Sequence, residues 1–165
     1  MTSEQFLNHL QAHAASFAKA VATNEGDWII KGFIDVYQRV YSISVDTKIV
    51  SKVLELLLFP MFVEFAQVHG LEIELCQHQN FYPDLTFTHR ASGNRFAVDI
   101  KSTYRESATN VNGMTLGAFT GYFRNRESNT LYPYSQYAAH FVLGISYSKC
   151  DDEPEDLFGV QATGP

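Results

Sequence analysis

Apolar residues recur at helical spacing in two long segments of the chain. The first segment predicts an amino-terminal helix, whose apolar face consists of Phe6, Leu10, His13, Phe17 and Val21. The second predicts a helix that follows an N-cap at Asp46, is kinked at Pro60 and ends at Gly70. Its apolar stripe consists of Val50, Val53, Leu54, Leu57, Met61, Phe65 and Val68.

Shorter segments alternate apolar and polar residues, which is typical of half-buried strands. This pattern predicts strands at residues 28–34, 71–76, 85–90, 95–101 and 141–147, and a short helix at residues 135–140. The resulting order is α-β-α-β-β-β-α-β. The predicted fold class is therefore α/β, with a central mixed β-sheet flanked by helices.

The composition indicates one globular domain over residues 1–165, because 45% of the residues are hydrophobic and the chain is long enough for a sizeable core. The net charge of −6 does not suggest a generally basic, nucleic-acid-binding surface. Five of the 18 acidic residues lie within residues 151–156, and without them the balance is 12 − 13 = −1. A DNA-binding face would therefore be a local patch.

Two cysteines, Cys76 and Cys150, are far apart and fit no metal-binding spacing, which favours free thiols in a reducing cytoplasm. The amino terminus has no basic region followed by an apolar run, so no signal peptide is expected. No apolar run approaches the length of a membrane span. The expected location is therefore the cytoplasm, without a membrane partner.

Three charged residues share one face of a hairpin that is predicted at residues 85–97, with its turn at residues 91–94. Asp99 and Lys101 alternate with apolar residues and so lie on the same face of their strand. If Arg90 pairs with Arg95, Asp84 lies opposite Lys101 and diagonal to Asp99. A slip of one residue would turn Asp84 to the other face.

Two carboxylates beside an ammonium group suit a divalent cation, because Mg²⁺ prefers oxygen ligands and leaves room for a phosphate oxygen. Lys101 would orient an attacking water or stabilise negative charge on the phosphate. This interpretation makes the chain a nuclease. The alternative is that Asp84 is a turn acid and Lys101 a solvated strand residue, since so short a motif also arises by chance.

Longer segments around these residues resemble the EcoRV family of type II restriction endonucleases, within the PD-(D/E)xK nuclease superfamily. The segments are residues 46–48, 55–56, 78–84, 97–104, 115–125 and 132–140. Their order and spacing are nearly collinear with the family from about Asp46 to about Ser148. The resemblance implies a homodimeric, Mg²⁺-dependent enzyme that cuts both strands of double-stranded DNA at a short palindrome, leaving 5′-phosphate ends. It also implies a cognate DNA methyltransferase.

The resemblance also implies roles for individual residues. Asp84, Asp99 and Lys101 match the catalytic acids and lysine of the family. Glu55 matches an accessory acid, so the implied metal ligands are Asp84, Asp99 and Glu55. The implied DNA-binding residues are Gln79, Asn80, Ser102, Thr103, Thr115 and Thr120.

The sequence departs from the family at three of the matched positions. Phe81 replaces a His, Ser102 replaces a Thr, and Gly121 replaces a Ser, which would remove any hydroxyl contact there.

The family reads base edges with a loop rich in Gly, Ser, Thr and Asn that lies farther along the chain, and no such loop follows residue 148 here. The chain is therefore expected to be incomplete at its carboxy terminus, and to bind DNA weakly, in a salt-sensitive way and with little sequence preference. Two alternatives remain open. One is a non-catalytic DNA-binding or dimerisation remnant, and the other is a repair or recombination nuclease of the same superfamily.

Overall fold

The computed structural model describes residues 1–30, 32–42, 47–76, 78, 81–114, 125, 129–148 and 160–162. The helices are α1 (Ser3–Val21) and α2 (Thr47–Val68), and a single 3-10 turn (Tyr134–Gln136) precedes the longest strand. The strands are β1 (Gly32–Ile34), β2 (Arg39–Ser42), β3 (Leu71–Leu75), β4 (Leu85–His89), β5 (Arg95–Arg105), β6 (Tyr137–Ser148) and β7 (Val160–Ala162).

The strands form two sheets. The larger has the order β3-β4-β5-β6, in which β5 and β6 are parallel and the other neighbours are antiparallel. The smaller is antiparallel and has the order β1-β2-β7. A four-stranded mixed sheet with packed helices confirms the α/β fold class.

Both helices pack on one face of the four-stranded sheet. Phe6 of α1 lies at the centre of this contact and is fully buried. Its ring stacks on Phe96 of β5 at 4.3 Å and meets Phe65 of α2 edge-on at 5.7 Å. Such aromatic contacts add to the gain from removing apolar surface from water. The phenylalanine cluster therefore joins α1, α2 and β5 in one core.

Local signals define the start of α1 and the end of α2, of which only the second was predicted from the sequence. Thr2 and Gln5 form a capping box at the start of α1, in which each side chain accepts from the backbone N–H of the other. Gly70 follows α2 with φ +65°, a left-handed conformation that glycine adopts at little cost. Helix α2 continues through Pro60. The predicted N-cap, Asp46, lies outside the described residues.

The β4–β5 hairpin has a different register from the one assumed above. Arg95 pairs with Thr88, and Leu85 pairs with Val98, so the turn begins one residue earlier, at Arg90. Gly93 occupies this turn with φ +70°. The shift amounts to two residues, and because side chains in a strand alternate with a period of two, it leaves each side chain on the predicted face.

Three further predictions are corrected by the structure. The helix at residues 135–140 is wrong, because Tyr137 and His140 already belong to β6 and pair with Arg95 and Ala97 of β5. The strand at residues 28–34 is shorter, with β1 beginning at Gly32. Val68 does not belong to the apolar stripe of α2, since it is 64% exposed. The fully buried stripe includes Leu58 and Phe62, whereas Leu57 is only partly buried and Met61 packs against the core while partly buried.

Strand β2 was not predicted. It follows a turn in which Asp35 Oδ1 accepts hydrogen bonds from the backbone N–H groups of Tyr37 and Arg39. This carboxylate closes a tight connection between β1 and β2.

In the part of the chain that the structure describes, no helix is long and apolar enough to cross a membrane.

Three histidines meet where α1 packs against the end of α2. The ring of His69 stacks on His9 at 3.9 Å and meets His13 edge-on at 5.2 Å. Burial lowers the pKa of His69 from its ordinary value of 6.5, and the neighbouring charges of His9 and His13 lower it further. The folded protein therefore binds a proton at His69 less readily than the unfolded chain does.

We expect the free energy of unfolding to decrease as the pH falls below about 6.5, the unfolded value, because the unfolded state then takes up more protons. His69→Gln should make this decrease shallower. Urea unfolding at several pH values between 5 and 8 measures it, and His78→Gln, at an exposed position, is the control. The same pH slope in His69→Gln and wild type would contradict the prediction.

Candidate active site

The candidate site lies where β5 continues past the end of β4. Pairing between these strands ends at Leu85 and Val98, while β5 continues to Arg105 and stays paired with β6 on its other edge. Asp84 immediately precedes β4, and its Oδ2 accepts a hydrogen bond of 2.7 Å from the backbone N–H of Ile100. A side chain thus satisfies the first free N–H of the β5 edge, and this bond fixes the position of the carboxylate.

Asp84, Asp99 and Lys101 come together at this edge. Lys101 Nζ lies 2.6 Å from Asp99 Oδ2 and 3.8 Å from Asp84 Oδ2. The Asp99 side chain is only 6% exposed, whereas that of Asp84 is 34% exposed. The structure therefore groups the three residues as the alternation along the hairpin predicts.

The electrostatics of Asp99 are dominated by its surroundings. Burial, and then the nearby charge of Asp84, raise the pKa of Asp99 from 3.8 to about 6, although the Lys101 ammonium group opposes the shift. A hydrogen bond to Asp84 also favours the protonated form of Asp99. The Lys101 ammonium group thus does not fully compensate the buried carboxylate of Asp99 beside the carboxylate of Asp84. The site favours an additional positive charge.

A cleft of about 480 Å³ opens beside these residues. Its strand wall includes Asp84 and Lys101, and its helix wall is the first two turns of α2 with Lys48, Ser51 and Glu55. Sequence reasoning did not assign Lys48 and Ser51 to the site. Ser51 and Glu55 follow Lys48 by three and seven residues, so the three side chains lie on one face of the helix. This spacing was the signal in the sequence that could have grouped Lys48 and Ser51 with Glu55.

Two predicted DNA-binding residues, Ser102 and Thr103, also line the cleft. Ser102 Oγ lies 2.8 Å from Ser51 Oγ and so links β5 to α2. Thr103 is 5% exposed, and its hydroxyl donates a 2.7 Å hydrogen bond to the carbonyl of Asn112. This contact holds residues 112–113 against the end of the cleft. No side-chain pattern could have indicated it, because the acceptor is a backbone group.

The remaining predicted residues are placed as follows. Glu55 lies on the cleft wall, where its Oε2 is 2.6 Å from Lys52 Nζ. It does not join the two aspartates: among the described residues, no three His, Cys, Asp or Glu side chains are grouped to hold a metal ion. Gln79, Asn80, Thr115 and Thr120 lie outside the described residues.

The donor set at the β5 edge fits Mg²⁺. This ion is held in proteins by one or two carboxylates, with waters and substrate phosphate oxygens as its other ligands. Asp84 and Asp99 supply two carboxylates that favour a cation, and the adjoining cleft has space for the other ligands. Glu55 is not needed for this minimal set.

A mixed sheet that presents two carboxylates and a lysine on one hairpin defines a restriction-endonuclease-like α/β protein. The family model for restriction endonuclease EcoRV matches residues 24–161, so the chain belongs to the EcoRV family of restriction endonucleases. It is 35% identical over 119 residues to the type II restriction enzyme EcoRV of Escherichia coli, an alignment that covers 72% of this chain and 49% of that protein. The chain thus spans about half the length of this curated relative.

We expect Asp99→Asn to stabilise the protein at pH 8 in the presence of a chelator, because it removes a buried charge beside Asp84. Wild-type Asp99 binds its proton more tightly in the folded state, so its contribution to stability is lost as the pH rises through about 6. The gain in Tm should be about 2–6 °C at pH 8 and should vanish near pH 4.

Differential scanning calorimetry at the two pH values measures this gain. Glu64→Gln, which neutralises an exposed carboxylate on α2, is the control and should change little. A lower Tm of Asp99→Asn at pH 8 would show that its ion pair with Lys101 outweighs burial and the charge of Asp84.

Proposed function

We propose that the protein is a type II restriction endonuclease, which hydrolyses phosphodiester bonds of double-stranded DNA at a short palindromic site with Mg²⁺ as cofactor and leaves 5′-phosphate ends. The observation that carries the proposal is the cluster of Asp84, Asp99 and Lys101 beside a cleft, in a chain of the EcoRV family. We also infer a cytoplasmic location and a cognate DNA methyltransferase in the same system, since such an enzyme would otherwise cut the DNA of its own cell.

Asp84 and Asp99 would hold the metal ion. When bound, Mg²⁺ would neutralise the two carboxylates and stabilise negative charge that develops on the phosphate. Asp84 is held in place before any ligand binds, because its Oδ2 already accepts from the Ile100 N–H. Fixed ligands of this kind reduce the cost of assembling the site.

Lys101 would act at the phosphate itself. Its side chain is 24% exposed on the wall of the cleft, and its ammonium group lies close to both carboxylates. From there it would orient the attacking water or donate to a phosphate oxygen in the transition state. Its positive charge also lowers the cost of keeping Asp99 ionised.

The opposite wall would bind the DNA backbone. Lys48 and the Ser51 hydroxyl line this wall, and the Ser102 hydroxyl meets Ser51 from β5. All three groups are suitable donors to phosphate oxygens. The family match supports Glu55 as an accessory carboxylate. It also supports DNA contacts for a further set of residues: Gln79, Asn80, Thr103, Thr115 and Thr120.

The proposed enzyme would act as a homodimer, which matches two cutting sites to the symmetry of a palindrome. The β1–β2 hairpin exposes a group of large apolar residues that supports this assembly. Ile34 is 65% exposed, Val36 is 90% exposed and Tyr37 is 77% exposed. A group of exposed large apolar residues is typical of protein interfaces.

Cleavage of plasmid DNA tests the proposed reaction. Asp99→Ala should abolish Mg²⁺-dependent cleavage, because one carboxylate does not hold the ion and the phosphate in line. Lys101→Ala should slow the single-turnover rate by roughly two to four decades, as expected for the loss of a positioned charge. Lys19→Ala, on the far helix α1, should cleave like wild type. Cleavage by Asp99→Ala within threefold of wild type would exclude the proposed role of Asp99.

Sedimentation equilibrium tests the proposed dimer. Ile34→Asp and Val36→Asp should weaken self-association by about tenfold or more, because each places a charge in an apolar contact. Val68→Asp is a matched control, since Val68 is 64% exposed and Ile34 is 65% exposed, but Val68 lies at the end of α2. A wild-type protein that stays monomeric, or equal effects of all three substitutions, would contradict the proposed interface.

A further inference from the structure

The position of Asp84 depends on the segment that precedes β4. The β4–β5 ladder ends at Leu85 and Val98, so Tyr82, Pro83 and Asp84 lie outside it. Something other than the ladder must therefore hold the segment that carries the carboxylate. Pro83 is fully buried, and its ring restricts φ, so any constraint on Tyr82 is transmitted to Asp84 over a short and stiff link.

The backbone of Tyr82 is fixed by a short pairing with residues 129–131. Its N–H donates to the carbonyl of Asn129 at 2.8 Å, and its own carbonyl accepts from Leu131 at 2.9 Å. This pairing holds Tyr82 next to the cluster that contains Tyr132, Tyr134 and Tyr137. It leaves the direction of the Tyr82 side chain to be set by other contacts.

The Tyr82 side chain is anchored two strands away. Tyr82 is 3% exposed, packs with Ala97 of β5, and places its hydroxyl 2.8 Å from His140 Nδ1 on β6. His140 is the residue that pairs with Ala97 in the parallel register. The small side chain of Ala97 leaves room for the tyrosine ring between β4 and β6.

The environment of His140 makes it a defined acceptor. Its Nε2 lies 3.3 Å from the carbonyl of Tyr134, which can only accept, so Nε2 carries the proton. Burial lowers the pKa of His140 and so favours the neutral ring, in which Nδ1 accepts from the Tyr82 hydroxyl. The ring also stacks on Tyr134 at 3.8 Å with an interplanar angle of 8°.

We infer that the hydrogen bond from Tyr82 to His140 positions Asp84 for metal binding. Tyr82 and His140 would be positioning residues, which touch neither metal nor DNA and act through the segment that carries the carboxylate. The metal-binding part of this inference rests on the proposed function. Partners of metal-binding side chains often matter nearly as much as the ligands themselves.

The amide of Ile100 reports the position of Asp84 without any metal. Its N–H donates to Asp84 Oδ2, so movement of the carboxylate weakens the bond. Tyr82→Phe removes only the hydroxyl. We expect it to shift the ¹⁵N-HSQC signal of Ile100 and to speed hydrogen exchange at that amide by about fivefold in a chelated sample.

Tyr137→Phe is the matched control. Tyr137 is 7% exposed in the same cluster, and its hydroxyl lies 3.0 Å from Thr86 Oγ1. Because Thr86 already lies inside the β4–β5 ladder, paired with Ala97, loss of this bond should leave Ile100 unchanged. If the two variants lose a similar amount in Tm, a difference at the Ile100 amide does not come from a difference in overall stability.

Binding of Mn²⁺, followed by the EPR signal of the free ion, tests the consequence for the metal. Tyr82→Phe should bind about tenfold more weakly than wild type and Tyr137→Phe. His140→Phe breaks the same hydrogen bond from β6, and the double variant with Tyr82→Phe should be no weaker than the single variants. Asp84→Asn should lose binding.

The outcomes separate this inference from the proposed function. An Ile100 amide that is unchanged in Tyr82→Phe would overturn the inference, as would wild-type Mn²⁺ affinity in that variant. A response of Ile100 to Tyr82→Phe, together with no Mn²⁺ binding by wild type, would support the positioning of Asp84 and overturn the metal-dependent function.

Discussion

The cleft exists because β5 is longer than its antiparallel neighbour. Beyond Val98 the β5 edge has no β4 partner, and its backbone groups need other acceptors and donors. Asp84 supplies the first acceptor, at the Ile100 N–H, and residues 110–112 fold back to pair near Tyr104 and Arg105. The gap between these two contacts is the cleft. If β5 ended where its pairing with β4 ends, no strand edge would line the cleft, and Lys101 would not lie at that edge.

The two faces of the central sheet have different chemical characters, and the site uses both. The helix face is filled with phenylalanines around Phe6, which need no hydrogen-bond partners. The other face holds tyrosines and His140, whose polar groups bond to one another and to the backbone. Asp99 and Lys101 alternate with the apolar residues of β5 and so lie on this same polar face. The apolar face places α2, and with it Lys48 and Glu55, at the other wall.

The charge arrangement at the site lowers the stability of the folded protein at neutral pH. Asp99 is nearly buried beside a second carboxylate, which raises its pKa to about 6. A protein selected only for stability would replace one of the two acids. In the proposed function a bound cation would supply the missing positive charge and so offset this cost.

Local patterns in the sequence were sufficient for the two long helices, for most of the strands of the larger sheet and for the grouping of Asp84, Asp99 and Lys101. The reason is periodicity: a strand turns alternate side chains to one face, so even the wrong register, displaced by two residues, left the three charges together. The tertiary structure alone decided the length of β6, the pairing of β2 with β7, the approach of Lys48 and Ser51 to the strand, and the link from Tyr82 to His140. Each of these depends on pairing between residues far apart in the chain, which no local pattern encodes.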